Sequence, residues 1–331
     1  MTTAEERAQL LKYATRVKSS AASMLSNASL LYKAAEALTV EQPPAAAAGL
    51  PAGLTVADLD PWTGDRTTLS SGTYRRKNFL GHVTIPTGAD VVLEDCVATG
   101  PTATGYLGPA LIDVQPGATL TLRRFEIRPA LSKWWLVGIR TAGTLNADLL
   151  RIRETVDGIQ VTGGVTTLTD PDIGELAFFS DSGDQAKDAY HPGWTHNDAV
   201  QVRAGALTVK GGILSGRVSE NVGHPDVLRS GGFADLMRAV PVTVSVDKGP
   251  CTGLLLEDVN MLGGEAGFQM NLPNTGGPSH VGTIRRCRFD REQHDFGGGS
   301  RYAIRHHRDV TLTLEGNVYP DGSPVVARVN A

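Results

Sequence analysis

Apolar and polar positions recur in one eight-residue order at seven places along the chain: VVLEDCVA (91–98), LTLRRFEI (120–127), LNADLLRI (145–152), LTVKGGIL (207–214), LLLEDVNM (254–261), GTIRRCRF (282–289) and LTLEGNVY (312–319). Apolar residues favour positions 1, 3 and 8, which predicts two short alternating strands around a corner. Successive phrases start 29, 25, 62, 47, 28 and 30 residues apart, so close neighbours differ by one supersecondary unit and the long gaps are units carrying insertions. The sixth position, occupied by Cys96, Phe125, Leu150, Gly212, Val259, Cys287 and Asn317, is expected to stack from unit to unit.

A second phrase confirms the register: PALIDV (109–114), VGIRTA (137–142), DGIQVT (157–162), DAVQVR (198–203), AGFQMN (266–271) and YAIRHH (302–307). Units of 28–30 residues with Val/Ile/Leu/Thr strands and corner glycines (Gly88, Gly117, Gly143, Gly205) predict an all-β solenoid, a parallel β-helix over residues 67–323. Its right-handedness follows from the general preference for right-handed parallel crossovers. Residues 324–331 form a short tail.

Residues 1–40 have a different period. Ala14, Ala21, Ala28 and Ala35 fall seven apart, as do Leu10, Val17, Met24, Leu31 and Leu38, which predicts a helical coiled-coil stalk. Leu11, Leu25 and Tyr32 widen the apolar face, so three parallel helices bury it better than two; the alternative is a single helix capping the solenoid. Pro43, Pro44 and Pro51 end the helix and make residues 41–66 a Pro/Ala/Gly connector.

Charge adds little to this picture: 31 basic and 35 acidic residues leave −4, which argues against nucleic acid as a partner. No compact apolar leader opens the chain and no run reaches the ~18 apolar residues of a membrane span. Three cysteines without metal-ligand spacing read as buried filler.

Aligning the second phrase puts Arg140, Gln160, Gln201, Gln269 and Arg305 in one outward column. Rungs ~4.8 Å apart turn such a column into a ladder of planar donors and acceptors, suited to sugar hydroxyls or simply to a solvated sheet face. Asp157 and Asp198 precede two of these glutamines at equivalent places. A pair of carboxylates can divide the acid and base or nucleophile roles of glycoside hydrolysis, with His196 beside them; it can bind calcium instead, or only hold the turn backbone. No cofactor is otherwise implied. The interruptions at 170–196 and 216–242 carry Phe178, Tyr190, Trp194 and His224, side chains that can wall a cleft and stack on sugar rings, with Arg203 close by.

THNDAVQV (195–202) resembles the His-x-Asp-x-x-Gln phrase of right-handed β-helix proteins of the pectate-lyase-like superfamily, many of which bind or cleave polysaccharides. The resemblance implies roles for His196, Asp198 and Gln201. A stalk, a Pro/Ala connector and a β-helix together resemble phage tail spikes, tail fibres and minor tail proteins. They imply a homotrimeric virion component that adheres to host-surface glycan and docks onto other tail or baseplate proteins through its stalk. The other readings are a polysaccharide hydrolase or lyase and a purely architectural tail component.

Overall fold

The computed structural model describes residues 47–101, 110–132, 135–178, 195–223, 239–270, 280–290 and 302–330, all within one compact unit spanning 45–331. The expected stalk, with Leu10, Ala14, Val17, Ala21, Met24, Ala28, Leu31, Ala35 and Leu38, lies outside the described residues.

Among the described residues the chain is nearly all β, built from parallel sheets with no closed barrel. Most strands fall into three ladders that the chain visits in fixed order; Leu176–Phe178 and Val218–Gly223 pair apart from them as a separate two-stranded sheet. Asp60–Trp62 opens the first, Arg66–Thr68 the second and Gly72–Arg75 the third; Lys77–Phe79 then returns to the first and pairs in parallel with Asp60–Trp62. The order repeats up to Arg288–Phe289 on the first ladder, Ala327–Asn330 on the second and Val310–Glu315 on the third. Two long strands, Asp157–Thr169 and Asn197–Lys210, serve the second ladder with one half and the third with the other. Two boundaries differ from expectation. The first strand starts at Asp60, inside the 41–66 connector, and Ala327–Asn330 in the tail extends the second ladder. Pro61 is tolerated because Asp60–Trp62 is an edge strand, with no preceding coil needing its missing N–H; Trp62 packs against Tyr74 and Phe79 there.

Inward columns run the length of each ladder. On the third, Val91, Leu120, Leu145, Thr166, Leu207 and Leu254 are buried in register. Thr166 interrupts the leucines, and its buried hydroxyl has no hydrogen-bond partner. A lone buried hydroxyl costs about 1–3 kcal/mol. Thr166→Val is therefore expected to raise the unfolding free energy by about 1 kcal/mol in urea melts; a loss would mean that the hydroxyl has a partner.

The corner between the third ladder and the first explains the repeating phrase. Its sixth position is buried throughout the stack. Its fifth is left-handed in every phrase, at Asp95 (φ 54°), Arg124 (49°), Leu149 (56°), Gly211 (70°), Asp258 (58°), Arg286 (53°) and Gly316 (60°). A left-handed side-chain-bearing residue costs roughly 1–2 kcal/mol, but here it turns the chain while its amide stays on the ladder. Asp95 N–H donates to Arg123 O at 3.1 Å and Arg124 N–H to Asp148 O at 2.9 Å, one coil on.

Just before this corner, the outward column Arg75, Glu94, Arg123, Asp148, Thr169, Lys210, Glu257, Arg285, Glu315 alternates in sign except at the uncharged Thr169. Arg75 lies 2.9 Å from Glu94 and Arg285 2.6 Å from Glu257. Exposed pairs add only a few tenths of a kcal/mol each, yet a one-coil slip would bring like charges together, so the column specifies register.

At the corner between the second and third ladders, Gly143 and Gly164 admit no side chain. A Cβ on Gly164 would lie 1.9 Å from Gly143 O, and one on Gly143 would lie 2.5 Å from Ala118 O.

Candidate functional site

The second ladder carries the polar column expected from the sequence. In register it reads Thr84, Asp113, Arg140, Gln160, Gln201, Thr243, Gln269, Arg305, Arg328. Arg140 donates to both oxygens of Asp113, at 2.8 and 2.9 Å. Arg305 donates to Glu265 and Gln269, and Gln201 lies half-buried between Gln160 and Thr243.

Beside this column, the aligned positions Ala110, Val137, Asp157, Asp198 and Val240 are buried, and only the two aspartates are polar. Asp157 and Asp198 sit on adjacent rungs: the Asp198 backbone N–H donates to Asp157 Oδ1 at 2.9 Å, while Gln160 Nε2 donates to Asp157 Oδ2 at 2.8 Å. Asp198, 0% exposed, accepts from Thr243 Oγ1 at 2.8 Å and lies 3.1 Å from His196 Nδ1. Thr195 and Asn197 extend the cluster inward. Thr195 donates to Asn197 Oδ1, and Asn197 donates to the carbonyls of Val156 (3.0 Å) and Ala177 (2.6 Å), tying three successive segments together.

Burial, reinforced by the Asp198 charge, pushes the Asp157 carboxyl up to about 7. At His196 burial opposes protonation, but the Asp198 carboxylate overrides it, helped by Asp157 and Glu265, and the imidazole is raised to about 9. The cluster therefore favours a proton on Asp157 and one on His196.

Calcium does not fit these carboxylates. Both Asp157 oxygens accept hydrogen bonds, and those of Asp198 face the Thr243 hydroxyl and the His196 ring. A calcium site needs several oxygens facing one free point. Among the described residues no three His, Cys, Asp or Glu side chains are placed so that they could hold one metal ion.

On the outer side of Gln160 lies an open groove of about 430 Å³, lined by Asp113, Val114, Gln115, Arg140, Ala142, Gln160, Thr162, Arg203 and Lys248. Arg203 is fixed by Asp247, its Nε 3.0 Å from Asp247 Oδ1. Both guanidiniums are thus held in place by carboxylates before any ligand arrives, which lowers the ordering cost of binding.

Of the residues picked out by sequence, Arg140, Gln160 and Arg203 line this groove, while Asp157, Asp198 and His196 form the cluster behind Gln160. Gln201 and Gln269 continue the column away from the groove. Trp194, Tyr190 and His224 lie outside the described residues. Phe178, expected in a cleft wall, is 2% exposed, buried in the strand Leu176–Phe178, which pairs with Val218–Gly223 outside the three ladders. Sequence reasoning missed Asp113, Thr195, Asn197, Thr243, Asp247 and Lys248. Thr243 was hidden by Pro241, which argues against a central strand in AVPVTV (239–244). Asp113 was hidden by an offset of one residue: starting the phrase at Pro109 sets Ile112 opposite Arg140, whereas the strands pair Asp113 with Arg140.

The fold and site define the class only as an all-β protein of stacked parallel strands with a polar groove on one ladder. Compared with known proteins, the chain matches no family model, no curated protein and no solved structure. Among the described residues no helix is long and apolar enough to cross a membrane.

Proposed function

We propose that the chain is a right-handed parallel β-helix that recognises host-surface polysaccharide as a subunit of a homotrimeric phage tail spike, fibre or minor tail protein, carried on its stalk of residues 1–40. The observation that carries the recognition reading is the open groove in which Arg140, Gln160, Thr162, Arg203 and Lys248 present hydrogen-bonding groups from successive coils. Hydroxyls along a sugar chain meet such groups at spacings set by the ladder, without any one contact having to be strong. The heptads of residues 1–40 support the trimer; light scattering that gave a monomer mass for the full chain would remove it.

Binding of purified full chain to host-wall polysaccharide tests the groove directly. Arg140→Ala is expected to weaken binding roughly tenfold or more, the scale of a lost charged hydrogen bond. Arg75→Ala, which removes an exposed arginine on the third ladder, should leave binding unchanged; equal losses would mean that the interaction is non-specific charge attraction.

A second reading, a polysaccharide hydrolase or lyase, draws on the raised Asp157 carboxyl next to Asp198, an arrangement that can separate acid and base roles. Against it, neither aspartate lines the groove. Release of oligosaccharides that is lost in Asp198→Ala and kept in Asp90→Ala would favour this reading.

A further inference from the structure

Gln160 belongs to two environments at once. It lines the groove, and through Nε2 it donates to Asp157 Oδ2 in the buried cluster at 2.8 Å. The other Asp157 oxygen is committed to the backbone N–H of Asp198 at 2.9 Å. An ionised carboxylate only accepts hydrogen bonds, so the nitrogen of Gln160 must point inward and its carbonyl oxygen is left for the groove.

We propose that Asp157 is a positioning residue for the groove, and that uptake of one proton by its carboxylate turns the Gln160 amide end for end, replacing the acceptor offered to the groove with a donor. The proton comes from solvent and goes to Oδ2, because Oδ1 remains the acceptor of the Asp198 amide. The new O–H must donate, and the group within reach is Gln160 Oε1, presented by a half-turn about the last side-chain bond. Nε2 then faces the groove. No bond other than O–H forms or breaks.

The surroundings permit this change near neutral pH. Asp157 is 7% exposed, and burial together with the Asp198 carboxylate favours its protonated form, with a pKa of about 7. The charged groups around it come from each packed element: Asp198 and Arg203 on the following strand, His196 just before that strand, and Glu265, which acts on His196 and is itself paired with Arg305. On the preceding rung Asp157 is paired in register with Val137, and Arg140 is turned toward Asp113. The consequence for recognition rests on the groove reading above; the behaviour of the amide does not. Below the transition the groove offers a donor suited to carboxylate or N-acetyl oxygens, and above it an acceptor suited to hydroxyl donors.

The test follows the side-chain NH₂ of Gln160 by NMR in full chain labelled with ¹⁵N-glutamine, the signal being assigned by its absence in Gln160→Ala. The wild type is expected to titrate between pH 5 and 9 with a midpoint near 7, while the Gln269 amide serves as the internal control. Asp157→Asn should abolish the titration. His196→Gln, which removes a cation that favours ionised Asp157, should move the midpoint upward; this arm keeps the test decisive if Asp157→Asn fails to fold. A Gln160 signal that does not titrate, or one that titrates unchanged in Asp157→Asn or His196→Gln, overturns the proposal. In the binding assay, affinity for host-wall polysaccharide should differ roughly fivefold between pH 5.5 and 8.5 in the wild type, the worth of one net hydrogen bond, and not in Asp157→Asn. Titration of the amide with no polysaccharide binding at all overturns the recognition reading and supports the assignment of Asp157.

Discussion

Phe125→Ala is expected to lower the unfolding free energy by about 3–5 kcal/mol, a large share of the ~5–15 kcal/mol that holds a typical domain together. Phe125 is 0% exposed and occupies the sixth-position column, flanked by Cys96 and Leu150 one coil to either side. In a stack where each coil touches only its neighbours, the cavity weakens two interfaces at once, and no distant element can collapse into it. Urea melts of Phe125→Ala and Arg123→Ala make the comparison. Arg123 is exposed on the strand leading into the same corner, so its loss should stay within ~0.5 kcal/mol. Similar losses in both would mean that this column does not carry the core.

Stability is expected to fall as pH rises from about 4 to about 9, through the proton-holding groups of the Asp157 cluster. The Asp157 carboxyl rises from 3.8 to about 7 on folding, so between those values the folded chain keeps a proton that the unfolded chain has released. Its contribution is complete below 3.8 and gone above about 7, with an upper bound on the order of 4 kcal/mol. His196 rises from 6.5 to about 9, so its contribution is complete below 6.5 and lost as pH climbs through 9, with an upper bound on the order of 3 kcal/mol. The carboxylates of Glu94 and Asp247, held low by their arginine hydrogen bonds, act in the opposite sense and lose their contribution in acid. The optimum therefore falls on the mildly acidic side of neutral. Asp157→Asn is a neutral near-isostere and should flatten the curve between pH 4 and 7, gaining stability over the wild type at pH 8. Parallel curves for the two proteins would show that Asp157 takes up no proton on folding.

Much of this architecture was legible because a stacked fold repeats its physics at a fixed period. The phrases at 91–98 and 120–127 pair residue for residue, Val91 with Leu120 and Leu93 with Leu122, as their alignment required. The alignment of Arg140, Gln160, Gln201, Gln269 and Arg305 was likewise a register statement, and register in a half-buried strand is set by which residues must point inward. The left-handed fifth position was not legible. Arg124 and Leu149 have no intrinsic preference for positive φ; they adopt it because the amide there stays bonded to the next coil.

By itself the sequence determined the strand period, the residues that face inward, the polar column and the adjacency of Asp157 and Asp198, since each follows from side-chain alternation repeated coil after coil. Only the tertiary structure decided what those side chains do. It paired Arg140 with Asp113 and Arg203 with Asp247, opened a groove on the outer side of Gln160, and enclosed the two aspartates among Thr243, His196 and a backbone amide. The reason is that, apart from His196, these partners come from neighbouring coils 27–45 residues away. Irregular segments of different length set those separations, so no local pattern encodes them.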